Sequence, residues 1–214
     1  MRFNSSIAEL IGIMLGDGCL STYQNKYIIY ICGHKIDDLD YHTQTTQRLF
    51  LQIFNKNVKI NFRKKEKTLF LRFSDKSIFN TFVKFGIPIG KKYGHLKIPL
   101  WIKKNNSFVF AFLRGLVDTD GCIIFSKQHR KIHYYPRIEI TSKSKDFLME
   151  ILDFLENLNF YGSVSNKGKG YRLEIPGFQN LKMWLKNIGF DNPKHIKKIE
   201  AQLGPLRPRP DLNW

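Results

Sequence analysis

The sequence predicts an α+β fold of two pseudo-symmetric αββαββα halves, with one helix from each half packed against the other at the centre. Three observations predict it. The segment Leu-Ile-Gly-Ile-Met-Leu-Gly-Asp-Gly at 10–18 returns as Leu-Arg-Gly-Leu-Val-Asp-Thr-Asp-Gly at 113–121, 103 residues later. After each copy, stretches of period-two and helical patterning follow in the same order. Ala8, Gly12 and Gly16 form a row of small residues, and Ala111, Gly115 and Thr119 repeat it at the same offset. Two helices pressed together along those rows bring Asp17 and Asp120 side by side at one end.

Ser6, followed three residues later by Glu9, has the form of a capping box, so the first helix is expected to start near Ile7. Ile7, Leu10, Ile11, Met14 and Leu15 give it a buried face, and Gly18 suits the left-handed position past its end. Residues 20–23 and 27–31 read as a hairpin turning at Asn25, and 37–54 as a helix. Val58, Ile60 and Phe62 then alternate with Lys59, Asn61 and Arg63; a turn at 64–67 follows, and Leu69, Leu71 and Phe73 resume the apolar face. A helix at 77–85, ended by Gly86, closes the half. The connection at 91–106 lacks clear periodicity, and Asn106 or Ser107 can cap the next helix. The second half repeats the order: a helix with Val109, Phe112, Leu113, Leu116 and Val117 on one face, strands at 122–126 and 135–141, a helix at 145–158, a hairpin through 167–170 and a helix at 179–188. The expected organisation is therefore 1–90, a linker at 91–106, 107–204, and an extended proline-rich tail at 205–214.

Lys and Arg number 35 against 18 Asp and Glu, a net charge of +17, so the chain is expected to seek polyanions, nucleic acid first. No apolar run approaches the roughly eighteen residues of a spanning helix, and no signal-peptide pattern opens the chain, so no membrane partner is expected. Cys19, Cys32 and Cys122 are an odd set in no metal-ligand spacing, which points to a reducing interior, cytoplasmic or organellar, rather than secretion.

A carboxylate at a helix C-terminus faces the negative end of the helix dipole, and two of them side by side also repel. A shared proton or divalent cations can compensate, and in a basic chain that seeks nucleic acid the cations are the more useful answer. Magnesium between paired carboxylates and phosphate oxygens supports phosphodiester hydrolysis.

The two segments resemble the motif of the LAGLIDADG homing endonucleases. The second copy keeps Leu113, Gly115, Leu116, Asp118, Asp120 and Gly121; the first keeps Leu10, Gly12, Asp17 and Gly18, with Leu15 where the motif has an acid. The resemblance extends over nearly the whole chain and implies the single-chain, two-motif form: a monomer acting as a pseudo-dimer, its antiparallel sheets forming a DNA-binding saddle. It implies Asp17 and Asp120 as the acids that bind Mg2+ (or Mn2+) and activate water, with the main-chain carbonyls of Gly16 and Thr119 as further metal ligands. His34 and Lys143, aligned by the internal repeat, and Lys97 and Lys197 or Lys198, after each half's last helix, are candidate supporting catalytic residues. The implied activity is an intron-encoded, metal-dependent double-strand cut at a long, loosely palindromic DNA target, leaving 3′ overhangs.

The candidate DNA-binding face is Lys26, Tyr30, Lys59, Asn61, Arg63, Lys65 and Arg72 in the first half. In the second it is Gln128, Arg130, His133, Arg137, Glu139, Thr141 and Arg172, with Glu174 beside them. Arg137 suits guanine, Asn61 adenine and Glu139 cytosine. Two alternatives remain open: a maturase of the same fold that binds intron RNA, and a non-catalytic DNA-binding regulator.

Overall fold

The computed structural model describes residues 3–92 and 96–205. The expected tail therefore lies, Pro205 apart, outside the described residues. Helix α1 (Ser5–Leu15) is capped by Asn4, whose Oδ1 accepts from the Ile7 amide at 2.9 Å, and not by Ser6. Glu9 is unavailable for a capping box because it is buried and paired with Arg114 of α6 (Asn106–Asp120). Strands β1 (Gly18–Tyr23) and β2 (Lys26–His34) form the first hairpin, with Gln24 and Asn25 at φ of 44° and 60° in a two-residue turn whose twist suits the strands. Gly18 opens β1 instead of ending α1. It is small because a Cβ there would stand 2.6 Å from the Met14 main chain.

The next helical stretch is α2 (Leu39–Tyr41), a π-helical turn (His42–Thr46) and α3 (Gln47–Phe54). Strands β3 (Ile60–Phe62) and β4 (Thr68–Ser74) follow, then α4 (Lys76–Lys84), capped by Asp75. The alternation of β3, a three-residue edge strand, fails at its outer end: Phe62 is exposed, with the Lys35 ammonium 5.4 Å from its ring centre. The connection holds a short helix, α5 (Leu100–Lys103), anchored by buried Ile98 and Ile102. Helix α6 is capped by Asn105, one residue before the positions expected. Then come β5 (Gly121–Ser126), β6 (Tyr135–Ser142), α7 (Lys145–Glu156), β7 (Ser163–Lys167), β8 (Gly170–Pro176) and α8 (Phe178–Asn187). A further helix, α9 (Pro193–Leu203), has Asn192 as its cap and Pro193 in its first turn.

The two sheets have the same topology, β1-β2-β4-β3 and β5-β6-β8-β7, and corresponding registers, Gly18 opposite Ile31 and Gly121 opposite Ile140. Leu20, Ile29, Ile31, Leu69 and Leu71 on one sheet, and Ile123, Ile138, Ile140, Leu173 and Ile175 on the other, face the helices and are buried. The opposite faces carry the polar residues. At the centre α1 and α6 touch through main chain: a Cβ on Gly12 would stand 2.1 Å from the Phe112 carbonyl oxygen, and one on Gly115 2.3 Å from that of Glu9. Among the described residues no helix is long and apolar enough to cross a membrane.

Candidate active site and nucleic-acid face

Asp120 is the last residue of α6, and Asp17 follows the end of α1 by two residues. Both therefore sit against negative helix ends, as the repeat implied. Burial, and then the charge of Asp120, push the Asp17 carboxyl up to about 7. Burial raises Asp120 too, against the pull of Lys92 and Lys194, although its carboxyl faces an open groove. An acid that titrates higher folded than unfolded stabilises the fold at low pH, and that contribution is lost as the pH rises from near 3.8 through about 7. In chelator the protein is therefore expected to lose thermal stability across this window, and Asp17→Asn to melt above the wild type on its alkaline side. Coincident melting curves for the two proteins would remove the raised Asp17 carboxyl from the account.

The cations around the acids differ from those the sequence suggested. Lys92, in the connection, donates to the main-chain carbonyls of Leu15, at 2.9 Å, and Gly16. Lys194, on α9, donates to Asp38 Oδ1 at 2.9 Å, and its charge acts on both acids. Lys92 and Lys194 stand 102 residues apart, one short of the 103 between the acids, an offset that would pair Lys194 with Lys91 instead. The repeat therefore brackets their positions without selecting them. Lys97 instead lies exposed on the connection, and Lys197 and Lys198 lie exposed on α9, where the Lys198 charge acts on Cys122. His34 is bonded to Asp37, Nδ1 to Oδ2 at 2.8 Å. Lys143 lines the groove over Asp120, together with Gly16, Lys92 and Lys167.

Asp38, absent from the expected site, ties the halves together under it. Its oxygens accept from the His34 amide at 2.7 Å, from Asn192 Nδ2 at 2.9 Å and from Lys194. Burial works to raise the Asp38 pKa, but these bonds and the Lys194 charge hold it below the usual carboxylate value. Asn192 Nδ2 also donates to the Asp118 carbonyl at 2.9 Å. Asp118, the counterpart of Leu15 in the repeat, is fully buried and accepts from the Asp191 amide at 2.7 Å; burial drives its pKa well above the ordinary value. This acid serves the packing of the chain before α9.

Among the described residues no three His, Cys, Asp or Glu side chains converge as a metal cluster. Asp17, Asp120 and the main-chain carbonyls of Gly16 and Thr119 nevertheless make an all-oxygen set, the kind that holds Mg2+ or Mn2+ when substrate phosphate and water complete the shell. The Gly16 carbonyl already draws an ammonium group to itself, so the position favours a cation.

In the first half Lys26, Lys59, Asn61, Arg63, Lys65 and Arg72 are exposed, with Lys59 and Arg63 flanking β3 and Lys65 in the turn after it, and Arg63 Nη2 donates to the Tyr30 hydroxyl at 3.2 Å. In the second half Gln128, Arg130 and His133 fall in the loop between β5 and β6 rather than on the strand face. There Arg130 lies 4.4 Å over the Tyr134 ring, and His133 Nδ1 meets the Phe125 carbonyl at 2.8 Å. Arg137, Glu139, Thr141 and Arg172 do share the polar face, but Glu139 is buried beneath the cations and is not free to meet a base.

A family model described as a LAGLIDADG-like domain matches residues 107–189. The Methanocaldococcus jannaschii replication factor C small subunit contains a segment 32% identical over 98% of this chain, and the Pyrococcus furiosus tRNA-splicing ligase RtcB one 26% identical over 90%. The chain spans only 11% and 22% of those two proteins. Among solved structures, I-DmoI in complex with DNA and Mn superposes with a TM-score of 0.61 at 22% identity, over 87% of this chain and 98% of that one. Full-length DUF199/WhiA from Thermatoga maritima gives 0.60 at 17% identity, over 100% of this chain and 65% of that one. The second half carries a LAGLIDADG-like domain, the first repeats its motif on the helix packed against it, and the fold over most of the chain is that of I-DmoI.

Proposed function

We propose that the chain is a site-specific DNA endonuclease that hydrolyses one phosphodiester in each strand of a duplex. The observation that carries this reading is the meeting of Asp17 and Asp120 at one end of two touching helices, beneath a groove lined by Lys92, Lys143 and Lys167. Asp17 and Asp120, with the carbonyls of Gly16 and Thr119, would hold Mg2+ or Mn2+. When bound, such a cation polarises the phosphate, makes water a better nucleophile at neutral pH and stabilises the leaving oxygen. The chain's own groups do the rest. Lys92 and Lys194 place positive charge beside both acids, where the five-coordinate phosphorus of the transition state would gather negative charge on its oxygens. Asp38 and Asn192 hold Lys194 and the Asp118 carbonyl in place across the boundary between the halves.

The sheets carry different side chains on one topology, so each half reads its own side of a long, loosely palindromic target, and the reading extends to 3′ overhangs and to a monomer that acts as a pseudo-dimer. The curated relatives also include an aminotransferase and a ribonucleotide reductase subunit, of each of which the chain spans 18%. These activities have no chemistry in common with one another or with the ligase. That supports a self-contained module whose activity is independent of them.

A non-catalytic DNA-binding role is the second reading, favoured by the likeness to WhiA over the whole chain. The test is incubation of the protein and magnesium with a randomised duplex library. Cutting at a discrete set of sites is expected; duplex binding without cutting hands the case to the non-catalytic reading, and preference for a structured RNA to a maturase.

A further inference from the structure

The shared ladder allows the two polar faces to be compared position by position. In the first sheet Cys19 lies opposite Tyr30, and Tyr30 opposite Arg72; at the same places in the second, Cys122 lies opposite Glu139, and Glu139 opposite Glu174. Level with the acids, Phe70 lies opposite Cys32 in the first sheet and Arg172 opposite Thr141 in the second. Tyr30 and Phe70 stack with ring centres 5.8 Å apart, and Arg172 instead reaches Glu174. At the places of Glu139 and Arg172 the first half presents the rings of Tyr30 and Phe70, and at the place of Glu174 it presents Arg72, so its charge there is of one sign only.

The charged group has an inner and an outer layer. Glu174 Oε1 is 2.7 Å from Arg172 Nη2 and 3.3 Å from Arg137 Nη1, and these three side chains are about a fifth to a quarter exposed. Glu139 lies beneath them at 3% exposure, 3.6 Å from Arg172, 3.7 Å from Lys167 and 3.9 Å from Arg137; its Oε1 and the Nε atoms of both arginines have no hydrogen-bond partner. A purely structural buried ion cluster is stabilising only when its members are fully bonded, and this one is not. The Glu139 charge does, however, lie under two guanidinium groups that both reach the one Glu174 carboxylate, which sets donors and an acceptor side by side on the partly exposed face.

In the major groove a G·C pair shows two adjacent acceptors on guanine and an amino donor on cytosine, the complement of an arginine beside a carboxylate. An A·T pair shows the thymine methyl group, the complement of an apolar ring face. We infer that Arg137, Arg172 and Glu174 read a G·C pair in one half of the target, while Tyr30 and Phe70 meet thymine at the matching place in the other half. This rests on the reading of the chain as a DNA-binding protein. It makes Glu139 a positioning residue and Glu174 a specificity-determining one.

The test is a binding selection in chelator, which needs no cleavage. Wild type, Glu174→Gln and Arg137→Lys are each incubated with a randomised duplex library, and the bound duplexes are sequenced. The wild type is expected to select a G·C pair in one half that has A·T as its counterpart in the other. Glu174→Gln is expected to lose that preference by roughly tenfold and to admit adenine there, since an amide pairs with adenine where a carboxylate cannot. Arg137→Lys, which keeps the charge and loses the fork, relaxes the same pair without changing the salt dependence of binding by more than one contact. Equal weakening on every sequence, or the same preference in both halves, overturns the inference and leaves a structural cluster. Selection of specific duplexes without that pair overturns it while leaving the DNA-binding reading standing; selection of no duplex overturns both.

Discussion

Replacing either Asp17 or Asp120 by Asn is expected to abolish double-strand cleavage while leaving duplex binding largely intact. The amide keeps the shape of the carboxylate and removes the charge that holds a divalent cation. The loss should be on the order of a hundred- to a thousandfold or more, as when one group that stabilises the transition-state charge is removed. Folding should survive. Burial raises both carboxyls, and the Asp120 charge adds to the rise of Asp17, so replacing a carboxylate by a neutral amide relieves the site instead of straining it. DNA binding should survive as well, because the basic residues of the faces lie on the sheets, away from the helix ends. The measurement is cleavage of a library-selected target in magnesium, with retention of the duplex followed separately in chelator. Wild-type cutting by either variant would sink the assignment of these acids to the metal. Cutting by the wild type in chelator would remove the metal from the reaction altogether.

Gly12→Val is expected to be the most damaging single substitution for stability. Even the first carbon of the new side chain would stand 2.1 Å from the Phe112 carbonyl oxygen and 2.8 Å from the Leu116 nitrogen, and neither main-chain atom can turn aside. The helices must separate, which unpacks the largest shared part of the core and moves the acids apart. Overpacking of this kind costs about 3 kcal/mol or more, a large share of the roughly 5–15 kcal/mol that holds a domain folded. Gly115→Val should behave alike, since its Cβ would meet the Glu9 carbonyl oxygen at 2.3 Å. Gly168→Asn is the control: it lies at φ of 57° with nothing within 4 Å, Asn tolerates that conformation, and the change should stay within about 0.5 kcal/mol. Urea denaturation of the three variants checks the order. A Gly12→Val protein as stable as the wild type would mean that the small-residue rows do not hold the helices together.

Local chemistry explains where the sequence was legible. Alternation located the hairpins because each sheet buries one face, and Asn25 marked its turn by tolerating positive φ. The capping of α1 was misread for a tertiary reason: Ser6 and Glu9 have the right spacing, but Arg114 lies 105 residues further on and claims the Glu9 carboxylate first. Helix α9 was missed although Asn192 and Pro193 are a good start signal, because polar residues dilute its apolar periodicity. Lys97 and Lys198 follow the closing helices in sequence, but only the folded chain brings Lys92 and Lys194 to the acids. Arg137, Glu139 and Arg172 were read as independent base contacts, and a strand pattern cannot show that two acids on neighbouring strands bind the arginines first.

By itself the sequence determined the two-fold plan, the small-residue rows along the central helices, the pair of acids at their ends and the charge of the surface, because each is a periodic or repeated property carried along the chain. Only the tertiary structure decided which cations attend the acids, that Asp38 and Asn192 join the halves beneath them, and that the second sheet holds its arginines in a bonded cluster. Those are contacts between residues distant in the chain, and their selection depends on burial and on which partner arrives within bonding distance, neither of which has a period to read.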